Sequence, residues 1–300
     1  MSITTQYDLI ARNKRRSVVV IAFFVIFVSL LGFLALHGGL INSQELLFIS
    51  LGSLLWSLGA YFLSSRVILS FSQAKKATKS EFYNYYTVTE NLCLGANMPM
   101  PKLYVIDDPA LNAFATGLSP QSGVICVTTG LLAKLDRHEL EAVVAHELSH
   151  IRHFDIRLAS LIAVIGGAVL MLVEIVYRSN YYGRKKSNNR DNNPILALIF
   201  FVLAIFAPLI LNLLQLALSR QREYLADAGS VQMTRNPQAL IKALKKIDGD
   251  RVPLQRASAA FSEMYISNPF KKKDFLARIS HLFSTHPSIA QRIKALESIS

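Results

Sequence analysis

The chain is short of cysteine and of charge. It has 2 cysteines among 300 residues, Cys93 and Cys126, and they form no CxxC pair. This scarcity excludes a disulfide framework and a thiolate zinc site, and it fits a reducing compartment. Charged residues make up only 17% of the chain, whereas 52% of it is hydrophobic. Such a composition is too apolar for an ordinary soluble domain and directs attention to long hydrophobic runs.

Two of these runs, residues 17–36 and 46–65, contain no charged residue. A run of about 20 uncharged residues is long enough to cross a bilayer as a helix. The first run is long for a signal peptide, lacks a clean small-residue cleavage site and is soon followed by the second run. We therefore predict that residues 1–65 form an anchor with two transmembrane helices.

Two further apolar stretches, residues 158–177 and 194–219, are weaker candidates for lipid-facing spans. The second stretch contains Asn212 and Gln215, which indicate that one helix face meets protein or water. We predict an apolar helical hairpin over residues 158–218, with two further membrane segments. The loop that connects them is rich in Lys and Arg, so two alternatives stay open: the hairpin crosses the membrane fully, or it enters the membrane only partly.

The orientation of the chain follows from its Lys and Arg residues. Basic residues cluster at positions 12–16, Arg66 follows the second run, and the loop at 37–45 contains neither Lys nor Arg. Because positive residues stay on the cytoplasmic side, we predict a multi-pass protein of the cell (plasma or inner) membrane with a cytoplasmic extramembrane part. These flanks, which face anionic lipid, explain most of the net charge of +12. No basic stretch is interleaved with aromatic residues on a nucleic-acid module, so we expect no nucleic-acid partner.

The remaining residues form two segments outside the membrane. In the first, residues 66–157, the β-rich runs KLYVIDD and GVICVTTG predict a small sheet. A helix is predicted to begin near Asp136, because Asp136 and Glu139 have the spacing of a capping box. The second segment, residues 219–300, has apolar residues at helical spacing in ALIKALKKI and SIAQRIKALESI, and it is predicted to be helical.

The stretch AVVAHELSHIRHFD places two histidines, His146 and His150, four residues apart on the predicted helix. At this spacing the two side chains project from one helix face, where two imidazoles can bind one zinc ion. Glu147 lies beside them and could take a proton from a zinc-bound water. The alternative interpretation is a helix that carries solvated histidines.

A catalytic zinc site requires three protein ligands and a water molecule. The extended motif with a third histidine is excluded, because position 156 is Ile156. Two glutamates remain as candidates for the third ligand. Glu174 lies four residues before Arg178, which is typical of an ion pair at a helix end.

Glu223 is the stronger candidate for the third ligand. Asp227 follows it by four residues on the same helix face. Such an aspartate can accept a hydrogen bond from the free ring nitrogen of a ligating histidine and fix its tautomer. We therefore choose Glu223 as the ligand and Asp227 as its supporting residue. The alternative is that Glu223 is an exposed acid paired with Arg220 or Arg222.

The chain resembles a known family. HELSHIRHFD followed by SRQREYLADAGS resembles the HtpX-type membrane metalloproteases, distant relatives of the CAAX prenyl endoproteases, as do NAFATG and THPSIAQRI. The resemblance implies a mainly α membrane protein, with transmembrane helices and a cytoplasmic zincin-like catalytic domain that contains a small β-sheet. It implies a zinc endopeptidase with one zinc ion per subunit. Its substrates would be polypeptides, above all misfolded or damaged membrane proteins.

The resemblance also implies roles for particular residues. His146, His150 and Glu223 would be the zinc ligands, and Glu147 would be the general base. Asn112 lies in NAFATG, which would help to hold the substrate chain beside the cleft, whereas the alternative is a buried strand with Phe114 in the core.

Two residues near the last predicted helix, His286 and Arg292, match family positions that line the active-site cleft. There they could stabilise the oxyanion of the tetrahedral intermediate. The alternatives are that His286 only starts the last helix and that Arg292 faces solvent.

Two rival functions are weaker. An intramembrane metalloprotease would need its motif inside an apolar span, but charged residues such as Asp136, Glu141 and Arg152 surround this one. A non-catalytic membrane scaffold with a structural zinc ion would have no need of Glu147, and structural zinc sites are usually closed and rich in thiolates.

Overall fold

The computed structural model describes residues 6–37, 41–165, 220–254, 264–266 and 287–298. Within them the chain is mostly helical, with one small mixed sheet. This confirms the mainly α architecture that the sequence predicts. Most of the predicted hairpin lies outside the described residues.

Two long helices, α1 (Gln6–His37) and α2 (Ser43–Phe71), are long and apolar enough to cross a membrane. Helices thus form over both runs in which the sequence predicts spans. Trp56 is 57% exposed and Phe62 is 67% exposed, as expected for side chains that face lipid. Helix α2 continues through Arg66 to Phe71, so the membrane helix leads without a break into the extramembrane part.

Small residues form the contact between α1 and α2. A Cβ atom on Gly32 would lie only 2.8 Å from Cδ1 of Leu46, so the helices approach closely there. Ser53, Ser57 and Ser64 are buried on α2, and the Ser57 hydroxyl donates to the carbonyl oxygen of Ser53 at 2.7 Å. Small residues let membrane helices pack closely without leaving their hydroxyl groups unpaired.

The sheet has four strands in the order β1-β2-β4-β3. They are β1 (Lys75–Lys76), β2 (Lys102–Ile106), β3 (Ala113–Thr116) and β4 (Val124–Thr128). Strands β2 and β4 are parallel, and the other two pairs are antiparallel. The sequence predicts β2 and β4 from their β-branched residues, whereas β1 is too short to leave a pattern. Strand β3 is buried at every position and lies at the edge of the sheet.

Four helices surround the sheet in the first segment. They are α3 (Tyr83–Ala96), α4 (Thr129–Lys134), α5 (Arg137–Arg152) and α6, whose described part covers residues 155–165. Asp136 caps α5 as predicted: its side chain accepts from the backbone N–H of Glu139, and the Glu139 side chain accepts from that of Asp136. The cap fixes where α5 begins, and it therefore fixes which side chains of α5 face the core.

Three helices form the second segment: α7 (Arg220–Thr234), α8 (Pro237–Gly249) and α9 (Ile289–Glu297). They confirm the predicted helical character of the described part of this segment. Helix α7 packs directly on α5, where the Ser230 hydroxyl donates to the carbonyl oxygen of Ala142 at 2.7 Å. A Cβ atom on Gly229 would lie 2.2 Å from Oγ of Ser149, so only glycine permits this approach.

Candidate metal centre

The two histidines of α5 face each other on one side of the helix. Their Nε2 atoms lie 3.2 Å apart, and the ring planes are almost perpendicular, at 89°. His146 is 1% exposed. The helical spacing of four residues therefore produces a convergent pair of nitrogen atoms, as predicted from the motif.

Helix α7 brings Glu223 to this pair. Its Oε2 atom lies 3.6 Å from Nε2 of His146, and its Oε1 atom lies 3.7 Å from Nε2 of His150. The carboxylate is buried, at 3% exposure, and not solvated as the alternative interpretation requires. Among the described residues, these three form the group that could hold a metal ion.

The spacing of the three side chains suits zinc. A tetrahedral zinc ion binds nitrogen and oxygen ligands at about 2.0–2.1 Å, which places neighbouring ligand atoms about 3.3 Å apart. The nitrogen and oxygen atoms of His146, His150 and Glu223 are separated by 3.2, 3.6 and 3.7 Å. The donor set and its geometry therefore fit a zinc ion with one coordination position left open.

A carboxylate holds the outer nitrogen of each histidine. Nδ1 of His146 lies 3.0 Å from Oδ1 of Asp227, and Nδ1 of His150 lies 3.2 Å from Oδ2 of Asp155. When each Nδ1–H donates to its carboxylate, the lone pair of Nε2 is free to face the metal position. Asp227 thus lies where its spacing from Glu223 predicts it. Asp155 is a residue that the sequence reasoning missed.

The turn after α5 explains the position of Asp155. The helix ends with His153 as its C-cap, and Phe154 has a φ of 59°, in the left-handed region. This turn reverses the chain and carries Asp155 back to His150. A separation of five residues matches no helical contact, so only the left-handed turn could have indicated it.

Arg292 of α9 lies against the metal cluster, with its Nη2 atom 3.3 Å from Nδ1 and 3.4 Å from Nε2 of His146. Its Nε donates to Oδ2 of Asp227 at 2.9 Å, its Nη2 donates to Oδ1 at 2.5 Å, and its Nη1 lies 3.4 Å from Glu223. The side chain is only 1% exposed. The guanidinium is thus a buried partner of Asp227 and does not face solvent.

A cleft of about 380 Å³, the open space at its mouth included, lies in front of the cluster. Glu147 lines it beside the two histidines, and so do residues from three other elements: Ala115, Asp155, Ile156, Ala159 and Arg222. Asn112 and Arg292 are not among its lining residues. His286 lies outside the described residues, as does Glu174.

Comparison with known proteins identifies the family of the chain. The sequence pattern of Peptidase family M48 matches residues 80–300. The chain belongs to peptidase family M48. It is 40% identical over 298 residues to "Protease HtpX homolog" of Streptococcus uberis, covering 97% of this chain and 98% of that protein. It is 41% identical over 292 residues to the protein of the same name from Dictyoglomus thermophilum, covering 97% and 94%.

Among solved structures, the crystal structure of S. mikatae Ste24p is similar to this chain with a TM-score of 0.49 and 20% identity. The match covers 91% of this chain and 62% of that one. The family and the two apolar helices together identify this M48 chain as a membrane metalloprotease. The curated relatives confirm the predicted resemblance to the HtpX-type proteins.

Burial and charge shape the chemistry of this M48 site. Burial raises the pKa of Glu147, although His146 and His150 oppose the shift. Burial and Arg292 would lower the pKa of His146, but Asp227 and Glu223 raise it to about 9. The carboxylates around His146 therefore create a field that attracts positive charge, and the same field favours a divalent cation.

The side chain of Asn112 forms a hydrogen bond at the start of β3. Its Oδ1 accepts from the backbone N–H of Ala113 at 3.0 Å, and its backbone N–H donates to Oγ1 of Thr128 at 3.1 Å. Phe114 is 1% exposed and packs edge-on against Tyr265, with ring centroids 5.2 Å apart. In this M48 chain the two side chains therefore stabilise β3, and the backbone of β3 forms the border of the cleft.

Proposed function

We propose that this chain is a zinc-dependent endopeptidase that hydrolyses peptide bonds of misfolded or damaged membrane proteins on the cytoplasmic side. One observation carries the proposal. His146, His150 and Glu223 converge at zinc-ligand distances, and Glu147 lies beside them on the wall of an open cleft. A structural zinc site would be closed, whereas this one faces an open cleft.

The residues of the site have two roles in hydrolysis, metal binding and proton transfer. His146, His150 and Glu223 would hold the zinc ion, which when bound polarises a carbonyl group and makes water more acidic. Glu147 accepts the proton of the attacking water and passes it to the leaving amine. Because burial raises the pKa of Glu147, its carboxylate holds that proton more readily than an exposed glutamate would.

Strand β3 offers the peptide a partner in the cleft. The carbonyl oxygen of Asn112 accepts from the backbone N–H of Thr128 on β4, so the backbone groups of Ala113 and Ala115 point away from β4. The carbonyl oxygen of Ala113 already accepts from the backbone N–H of Ile266, at 3.0 Å. Ala115 lines the cleft, and its outward backbone groups are placed to pair with an extended substrate.

We propose a different role for each of the three remaining candidates, Arg292, Asn112 and His286. Arg292 holds Asp227, and Asp227 holds His146, so Arg292 is a positioning residue and not an oxyanion donor. Asn112 stabilises the strand that would pair with the substrate. His286 stays a predicted oxyanion donor, based on the resemblance of THPSIAQRI to family sequences.

The experiment that tests the proposal compares the wild-type protein with Glu147→Gln, purified in detergent. An unfolded model protein is the substrate, and each sample is measured with zinc and with a chelator, together with its bound zinc. We expect cleavage only by the zinc-loaded wild type, with zinc retained in the variant. Cleavage by Glu147→Gln at the wild-type rate would contradict the role of Glu147. The absence of zinc from both proteins would contradict the metal site.

A further inference from the structure

Helix α6 connects the cleft to the membrane helices. On one side, Ile156 and Ala159 line the cleft. On the other side, Leu158, Leu161 and Ile165 belong to an apolar cluster with α1, to which Val20, Phe24 and Phe27 contribute. The same short helix thus forms a wall of the cleft and packs against a membrane span.

Helix α6 also contacts the end of α2, where the guanidinium of Arg157 lies 5.9 Å from the centre of the Tyr61 ring. Oγ of Ser160 lies 2.8 Å from Oγ1 of Thr116, which in turn donates to Oγ of Ser65 at 3.4 Å. Further along α6, Ala163 shares an apolar cluster with Ala60 of α2. Helix α6 is therefore packed against both apolar helices, and on α2 its contacts are at Tyr61 and, through Thr116, at Ser65.

Basic residues mark the level at which α1 and α2 leave the membrane. The candidate span of α1 begins at Arg15, and Gly32 of that helix faces Leu46 of α2. Gly32 lies 17 residues after Arg15 on α1. The position 17 residues after Leu46 on α2 is 63, so Arg15 on α1 is at about the level of Arg66 on α2. Arginines at the ends of spans lie at the lipid headgroups. The bilayer surface is therefore near the level of Arg66.

The distance of the cleft from this level is limited by helix geometry. Ser160 is linked to Ser65 through Thr116. Ile156, which lines the cleft, lies four residues from Ser160, so the cleft is within about 6 Å of the level of Ser160 along the helix. A substrate chain that leaves the bilayer would have to cover this distance of about 6 Å and then pass one helix of about 10 Å diameter. The path is roughly 16 Å long, which corresponds to about five extended residues.

We propose that the cleft selects the membrane-proximal stretch of an anchored polypeptide and cleaves it within about ten residues of the point where the chain leaves the bilayer. This inference rests on the proposed endopeptidase function and names its substrate class. Anchoring places that stretch at the level of the cleft, so its local concentration is high. The local concentration falls roughly as the −3/2 power of the length of flexible chain between the anchor and the cleavage site.

The test uses the full-length protein in liposomes with a series of single-span substrates. Each substrate has an unfolded, flexible tail with one identical cleavable cassette, placed 8, 15, 30 or 60 residues from its span. A peptide with the same cassette and no span is added at equal total concentration. Initial rates and cleavage positions are measured by mass spectrometry, with Glu147→Gln as the control for contaminating proteases.

We expect the cassette 8 residues from the span to be cleaved at least about tenfold faster than the cassette at 60 residues, because (60/8) raised to 3/2 is about 20. The peptide without a span should be cleaved slowest. Equal rates at all four distances, or equally fast cleavage of the free peptide, would overturn the selection of membrane-proximal segments while leaving the endopeptidase intact. If zinc-loaded wild type cleaves none of the substrates, the endopeptidase function fails, and this inference fails with it.

Discussion

Nδ1 of His150 lies 3.2 Å from Oδ2 of Asp155, and this contact mirrors the 3.0 Å contact between His146 and Asp227. The two histidines are therefore held alike, each by one carboxylate on its outer nitrogen. Such partners orient the ring and raise the basicity of the ligating nitrogen. The left-handed turn at Phe154 is what makes the second contact possible.

Asp155→Ala should weaken zinc binding by about 10- to 100-fold, because the His150 ring loses its fixed orientation. Asp155→Asn should bind zinc closer to the wild-type affinity, since its amide oxygen can still accept from Nδ1–H. The measurement is competition for zinc with a chelator of known affinity. Asp107→Ala, which removes an exposed aspartate, serves as the control. If Asp155→Ala and Asp107→Ala bind zinc equally well, Asp155 does not orient His150.

Gly229→Ala should separate α7 from α5, because the added Cβ atom would lie 2.2 Å from Oγ and 2.9 Å from Cβ of Ser149. Overpacking of this kind costs about 1–3 kcal/mol of stability. Zinc affinity should fall as well, since α7 carries Glu223. Thermal unfolding and zinc competition measure the two effects.

Two further variants make the Gly229 result specific. Gly95→Ala, at an exposed helical glycine with no atom within 4 Å of the added Cβ, should stabilise the protein by about 0.5–1 kcal/mol. Adding Ser149→Gly to Gly229→Ala removes the clashing side chain and should restore most of the zinc affinity. A double variant as weak as Gly229→Ala alone would show that the loss has another cause.

Ala115→Pro should lower kcat/KM by the equivalent of about 0.5–1.5 kcal/mol, the contribution of one hydrogen bond. Proline removes the backbone N–H that points away from β4, and edge strands tolerate it at such positions. Zinc affinity should not change, because the ligands lie on α5 and α7. Ala115→Ser keeps the N–H and is the matched control. Equal peptide cleavage by the two variants would exclude pairing of the substrate with this strand.

Arg292→Met should destabilise the protein by up to about 3–5 kcal/mol, because it removes the buried cation that pairs with both Asp227 and Glu223 and leaves His146 as the cationic partner of Asp227. The double variant Arg292→Met/Asp227→Asn should recover part of this loss, since the remaining amide carries no charge and can still accept from His146. Thermal unfolding of the zinc-free proteins measures both effects. A double variant less stable than Arg292→Met alone would contradict the ion-pair explanation.

Local patterns were sufficient to predict much of the fold. Asp136 caps the start of α5, as its capping-box spacing predicts, and α1 and α2 form over the two uncharged runs. The contact among His146, His150 and Glu223 needed one further idea, the requirement of zinc for three ligands. These features depend on neighbours in the sequence or on known metal chemistry, so the sequence contains them.

The contacts of Asp155 and Arg292 could not be predicted in the same way. The position of Asp155 depends on a positive φ at Phe154, a backbone state that phenylalanine rarely adopts. Arginine is almost never fully buried unless it is paired, so hydropathy places Arg292 at the surface. Its partner, Asp227, lies 65 residues away in the chain. Both contacts arise from tertiary packing, which residue spacing does not record.

The separation of the site residues along the chain has a consequence for biosynthesis. His146 and Arg292 are 146 positions apart. At about 5–20 residues per second, the ribosome completes Arg292 roughly 7–30 s after His146. A nascent chain in which synthesis has just passed α5 still lacks Glu223, Asp227 and the helix α9 that carries Arg292. On the proposed function, the metal site therefore cannot be complete until the second segment of the chain has been made.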